Sequence, residues 1–263
     1  MTPLFRLYLW PDRLLLLGPG FDTGFHRHHA AQLCLGLDGP LKLRHGRNES
    51  WVSAPGFFVA PDQPHQFDAG AGATAILYLE AESGACADCL RRHAQPGPSP
   101  LATTSELTPL QALRADGGQG RHLAAALRVF GIDETQQGIV VPLDPRIANA
   151  LNWIGAHIDT PIRLRAVAAS AALSGSHFAH LFTAQAGVPL RRYVLWRRLR
   201  EAIRLAMLGA SLTEAAHAAG FADSAHLSRT FRETFGVTPS FLFEQRARIA
   251  VEFCAQDPAW GSA

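Results

Sequence analysis

Short apolar runs separated by Gly, Pro, Asp and Asn fill the chain from Phe5 to Leu79, a rhythm that predicts many short strands joined by tight turns. The candidate strands are LYLW, RLLLLG, AAQLCLGL, PLKLRHG, SWVSAP, GFFVAP and TAILYLE, and an all-β barrel or sandwich is their natural container. From Ala81 to Arg128 the period changes. Ala, Leu and Arg recur at helical spacing in CADCLRRHA and GRHLAAALRVF, predicting two or three helices on either side of the Pro-rich AQPGPSP. Residues 131–142, with their Gly, Asp, Glu and Gln, read as a linker, so the chain divides into 1–130 and 143–263.

The second half is helical throughout. Ile147, Leu151 and Ile154 make an apolar stripe flanked by Trp153, and Pro161 closes it off downstream. Residues 164–186 and 212–235 then repeat one plan: a short helix of small residues, a sharp bend, and a second helix with one buried face. In the second copy Leu212, Ala215, Ala216 and Ala219 form the support helix and Gly220 supplies the bend. Leu227, Phe231 and Phe235 recur every four residues on the buried face of the following helix. In the first copy Phe178, Leu181, Phe182 and Gln185 face inward. Between the copies Pro189 opens a long helix to Leu208, with Trp196, Leu199, Ile203 and Met207 as its apolar stripe and Arg197, Arg198, Arg200 and Arg204 on the remainder. Two helix-turn-helix units joined by a rigid helix present two exposed helices suited to a DNA major groove, with successive groove segments about 34 Å apart.

The order Ala-Ala-x-x-x-Gly-Phe, Leu-Ser-Arg-x-Phe, Phe-Gly-x-x-Pro stands here as Ala215, Ala216, Gly220, Phe221, Leu227, Ser228, Arg229, Phe231, Phe235, Gly236 and Pro239. It resembles the second helix-turn-helix of AraC/XylS-type transcription regulators, and the similarity reaches back to about Leu143. The resemblance implies double-stranded DNA as partner, a small-molecule effector, RNA polymerase as a further partner if the protein is an activator, and no enzymatic activity. Aligned on that motif, Ser176, Ala179 and His180 in the first unit and Ser224, Ala225, Ser228 and Arg229 in the second take base-reading or outward positions. Arg191, Arg192 and Arg232 are candidates for phosphate contacts, which set affinity and register without reading sequence.

In the first half Gly20, His26, His28, Gln32 and Gly39 have a spacing similar to the first cupin motif, and GFFVAPDQPH, ending on His65, resembles the second. The expected fold class is therefore α+β: a cupin-like β-barrel with following helices, then an all-α domain of two helix-turn-helix units. On an extended strand His26 and His28 point to the same side, so with His65 they can face one cavity. Two occupants follow. His26, His28, Gln32 and His65 anchor a small organic effector between apolar walls from Leu33, Leu35, Phe58, Val59, Ile76 and Leu77, or they bind a divalent metal (Zn, Ni or Cu). Gln32 stands where metal-binding cupins usually carry Glu, which argues against a metal-dependent enzyme and leaves a metal-sensing regulator as the alternative. His29 alternates to the opposite, solvent-facing side. Cys86, Cys89 and His93 share one side of a helix, as packed side chains or as metal or redox ligands. In related regulators this region supplies a dimer interface, for which Leu123, Leu127 and Phe130 are the candidate seam.

Composition changes this picture little. With 48% hydrophobic and 17% charged residues the chain is an ordinary folding sequence. Charge is uneven: 11 basic against 13 acidic residues precede Asp144, and 13 against 9 follow from it. Every basic residue except Lys42 is Arg, which suits phosphates and guanine edges. The run Leu14 to Leu17 is too short to span a bilayer, and a cytoplasmic location with reduced cysteines is expected, with no membrane partner. A purely architectural DNA-binding role would need neither two shaped reading heads nor a barrel.

Overall fold

The computed structural model describes residues 4–93, 97–101, 106–115, 122–133 and 143–254. Eight strands come first: β1 (Phe5–Leu9), β2 (Arg13–Pro19), β3 (Ala31–Gly36), β4 (Leu41–Arg44), β5 (Val52–Ala54), β6 (Gly56–Val59), β7 (Gln66–Asp68) and β8 (Ala73–Leu79). Then follow α1 (Gly84–Arg92), β9 (Ser99–Leu101), α2 (Thr108–Ala115) and α3 (Leu123–Val129). The helical half holds α4 (Pro145–Ala156), α5 (Leu164–Ser170), α6 (Gly175–Ala186), α7 (Leu190–Met207), α8 (Leu212–Ala218), α9 (Ser224–Phe235) and the short α10 (Ser240–Phe243), after which β10 (Ile249–Phe253) is extended again. The seven expected strands form. β7 (QFD) and β9 (SPL) are not among them, because each holds a single large apolar residue and shows no apolar run. Most of the expected linker lies outside the described residues.

The strands make a seven-stranded sheet, ordered β10-β1-β2-β8-β3-β6-β9, and a three-stranded sheet, β5-β4-β7. The two sheets share a core of Cys34, Leu41, Leu43, Phe57, Val59, Phe67 and Ile76. The opposite face of the large sheet, with Leu15, Leu17, Leu33, Leu35, Phe58 and Leu77, packs on α1, α2 and α3. β3 is buried at every residue because both of its faces are covered. The six residues expected to wall one cavity are thereby split: Leu33, Leu35, Phe58 and Leu77 belong to one core, Val59 and Ile76 to the other. Successive strand residues point to opposite faces, so neighbours such as Phe58 and Val59 cannot line the same space.

Leu127 and Phe130 are buried in the helix-side core of their own chain, with Leu123 packed against it, so the expected dimer seam is not an exposed surface. Cys86 and Cys89 are fully buried there too, and burial raises their thiols to about 12 and about 11. Thiols held protonated are inert structural side chains. His93 stacks on Phe58 at 5.0 Å between ring centroids.

The three-stranded sheet covers only part of its partner. In register, Leu7 pairs with Leu16, Leu9 with Leu14, and Leu14 with Tyr78, so an apolar face continues past the small sheet. The helical half covers it: Leu7 and Leu9, flanked by Leu14 and Leu16, share one core with Leu199, Ala202, Ile203, Leu227 and Phe231 from α7 and α9. The strand-rich half is thus built of two sheets, and the side that the small sheet leaves uncovered is sealed by the second helix-turn-helix unit. At the margin of this seam Glu80, next to β8 and almost fully buried, pairs with Arg200 and accepts the indole N–H of Trp196 at 2.8 Å. Arg200 also donates to the carbonyls of Trp10 and Pro11, each at 2.5 Å. Burial pushes the Glu80 carboxyl up from its ordinary value, and the charge of Arg200 opposes that. The chain then crosses back, because β10 pairs in parallel with β1, Phe5 opposite Ile249 through Leu9 opposite Phe253. Residues expected to belong wholly to the second domain complete the sheet of the first.

Within the helical half the two units repeat. Ser174 and Asp223 cap α6 and α9 by accepting backbone N–H groups of His177 and His226, and Gly187 and Gly236 end them at φ 74° and 70°. Phe178 and Phe182 occupy the places of Leu227 and Phe231. The bends differ in one respect: Gly220 takes φ 79°, where an added Cβ would meet the Ile158 carbonyl at 2.4 Å, whereas the first unit places Ala172 at φ 52°.

Two stability outcomes follow. Arg200→Met leaves Glu80 buried without its partner and is expected to cost about 3–5 kcal/mol in urea unfolding, while adding Glu80→Gln, which removes the charge and keeps an acceptor for Trp196, recovers most of that loss. A double variant no more stable than the single one contradicts this account. Ala172→Gly relieves left-handed backbone strain and raises stability by about 1 kcal/mol; a lower unfolding midpoint contradicts it.

Candidate nucleic-acid interface and histidine cluster

The exposed faces of α6 and α9 are set by their buried ones. Phe178 and Phe182 anchor α6 at zero exposure, which turns Ser176 and His180 to solvent and leaves Ala179 half-buried. Leu227, Thr230 and Phe231 anchor α9, which exposes Ala225, Arg229 and Arg232 and leaves Ser224 and Ser228 half-buried. The Ser228 hydroxyl donates to the Ser224 carbonyl at 2.8 Å, so its hydrogen is engaged in the helix. A groove between the heads is lined by Ala179, Thr183, Arg191, Arg198 and His226. Arg191 is exposed. Arg192, the other expected phosphate contact on α7, is instead ion-paired at 2.5 Å with Asp62 of the strand-rich half.

The four residues of the histidine pattern converge. His26 and His65 exchange backbone hydrogen bonds at 2.9 Å in an antiparallel bridge, and their ring centroids lie 4.2 Å apart. His28 lies 5.0 Å from His65 and 5.7 Å from His26. All three are buried, His65 completely. Each ring gives its Nδ1–H to a backbone carbonyl two residues away: His26 to Gly24 at 2.8 Å, His28 to Ala30 at 2.7 Å, His65 to Gln63 at 2.9 Å. That choice of tautomer leaves every Nε2 with a lone pair. The His28 Nε2 faces Gln32 Oε1 at 2.9 Å, and the His65 Nε2 is buried without a partner. Burial lowers all three below the usual histidine range, His26 to about 3, with the neighbouring imidazoles of the cluster adding to the shift at His26 and His65. Three neutral imidazoles, each with one ring nitrogen within 4.8 Å of the others, are a metal-ligand set in composition and spacing.

His29 is not solvent-facing as expected. It is 4% exposed and hydrogen-bonded to Glu82 at 3.2 Å, because α7 lies over that side of the strand entry, with Tyr193 and Trp196 against its ring. Residues 24–28 also touch the second head. The Gly24 N–H donates to the Gly236 carbonyl at 2.7 Å, and a Cβ on Gly236 would stand 2.7 Å from His26 Nδ1. Beside the cluster, across Tyr78 and Phe235, a cavity of about 70 Å³ lies between the large sheet and the second head, lined by Leu7, Leu16, Tyr78, Phe231, Phe235 and Phe241 among others.

Residues 167–245 match the family model of a helix-turn-helix domain. The regulatory protein PocR of Salmonella typhimurium is 30% identical over 105 residues, covering 40% of this chain and 35% of PocR. The transcriptional activator NphR of a Rhodococcus species is 37% identical over 92 residues, covering 35% of this chain and 27% of NphR. The chain therefore spans about a third of the length of these curated relatives. Along nearly its whole length the fold is similar to solved structures of ToxT from Vibrio cholerae. An apo variant gives a TM-score of 0.61 at 12% identity over 89% of this chain and 97% of that one. A wild-type form with bound unsaturated fatty acid gives 0.57 at 14% identity over 92% and 98%. No helix among the described residues is long and apolar enough to cross a membrane. The two capped heads and their shared bridging helix agree with the matched family model: the helical half carries a helix-turn-helix domain, similar over that part to the regulatory protein PocR and the transcriptional activator NphR.

Proposed function

We propose that this protein is a sequence-specific DNA-binding transcription regulator whose reading heads are controlled by a small ligand bound in the strand-rich half. The observation that carries this is the seam itself: the second head, α8 and α9, forms one hydrophobic core with β1 and β2. A ligand seated in this cavity of about 70 Å³ would touch β2, β8 and α9 at once, so binding there and the position of a reading head are linked. The apolar lining favours an organic effector with an apolar body, and the fatty acid seen in ToxT is of that chemical kind. Ser176, Ala179 and His180 on α6 and Ser224, Ala225, Ser228 and Arg229 on α9 face the bases in this reading. Arg191, Arg192 and Arg232 hold phosphates.

Selection from a random duplex pool with the full chain tests the proposal: enrichment of one two-part motif is expected, and recovery of unrelated sequences overturns it. On the selected site, Arg229→Ala and His180→Ala should each weaken binding by about 1–3 kcal/mol and relax preference at one position. The Asp62 pair makes a separate outcome measurable. Arg192→Ala weakens all duplexes alike and lowers the salt slope by about 1, whereas Asp62→Ala frees Arg192 and strengthens binding at low salt. Unchanged affinity in Asp62→Ala would show that Arg192 contacts no phosphate.

A further inference from the structure

We infer that His26, His28 and His65 bind a zinc-class divalent cation, with the Gln32 carboxamide oxygen beside it, and that this ion fixes the docking of the second reading head. The inference goes beyond the organic effector proposed for the apolar cavity and rests on the regulator reading only for its effect on DNA.

Four observations point to a cation. The Nδ1–H of each ring is committed to a carbonyl, a hydrogen bond that in metal sites orients the imidazole and aims Nε2 at the ion. The three candidate ligand nitrogens lie within 4.8 Å of one another. His65 Nε2 is a fully buried acceptor with no hydrogen-bond partner, a cost that a ligand removes. His28 Nε2 and Gln32 Oε1 lie 2.9 Å apart, close enough for one cation to be held by both while the Nδ1–H of His28 stays on the Ala30 carbonyl. Imidazole with a carbonyl oxygen and no thiolate suits Zn²⁺, for which three histidines suffice. Cys34, two residues along β3 from Gln32, donates its S–H to the Phe57 carbonyl.

The link to the reading head is one residue long. The Gly24 carbonyl accepts from His26 Nδ1, and the Gly24 N–H donates to the carbonyl of Gly236, the left-handed residue that ends α9. His28 stands edge-on to Tyr78, and Tyr78 in turn to Phe235 of α9. An ion that fixes His26 and His28 therefore stiffens both contacts and favours the closed seam in which Asp62 holds Arg192.

The test uses the full chain stripped of metal with a chelator and titrated with Zn²⁺ alone, then with Co²⁺ as a spectroscopic substitute. One equivalent per chain is expected, with a tetrahedral Co²⁺ spectrum free of thiolate charge-transfer bands, and at least tenfold weaker binding in His65→Ala and His26→Ala. Absence of stoichiometric binding to the wild-type chain, or a thiolate band, overturns the site without bearing on DNA recognition. Because either variant can lose its fold, the wild-type spectrum stands as an independent measure. For the coupling, amide exchange at Gly24 and across residues 232–237 should slow on zinc addition, and affinity for the selected duplex should fall about tenfold and return with chelator. Unchanged exchange overturns the coupling whether or not DNA binds. Failure to bind any duplex in either state overturns the regulator reading alone.

Discussion

A carboxylate buried at the junction of two domains has to be neutralised in place, and Glu80 meets that demand with groups from one helix. Trp196 and Arg200 stand one turn apart on α7 and reach the two oxygens of the same carboxyl. Arg200 uses its remaining donors on the carbonyls of Trp10 and Pro11, where β1 turns into β2. The bridging helix of the helix-turn-helix half is thereby registered against the strand-rich half to within a hydrogen bond. Apolar contact alone would let α7 slide along the leucines of β1 and β2, since burial is indifferent to small shifts; charged groups with fixed geometry are not. The seam, the cavity within it and the approach of Gly236 to His26 all depend on that registration.

The repeat of helix, bend and helix was legible because its cause is local. Small residues at Ala215 and Ala216, a glycine at the bend and aromatic residues every fourth position each specify a feature within a few residues of themselves. So does the placement of Arg229, Ala225 and His180 on outward faces, which follows from the period once Phe178, Phe182, Leu227 and Phe231 are inward. The convergence of His26, His28 and His65 was legible for a similar reason, strand alternation together with a recognisable spacing.

What the sequence concealed was every contact between the halves. Arg200 belongs by period to the charged face of its helix, and nothing within ten residues says that a carboxylate waits beside it. Arg192 is a natural phosphate ligand until Asp62, itself at φ 61°, is brought against it. His29 reads as a surface residue when the strand is considered alone and is covered only because α7 crosses it. The cover on the sheet was hidden for the same reason: alternation tells which side chains share a face but not whether a strand or a helix covers them. IAVEF, the sequence of β10, is a plausible strand only if a free sheet edge is known to exist.

That last strand carries a consequence for how the protein is made. Synthesis proceeds from the amino end, so β1 emerges early and its outer edge has no partner until residues 249–253 leave the ribosome. Throughout that interval the strand-rich half exposes the backbone groups of β1 and the leucines that the second reading head will cover, a surface prone to pairing with other chains. A nascent chain halted anywhere before β10 therefore lacks the strand that pairs with the outer edge of β1.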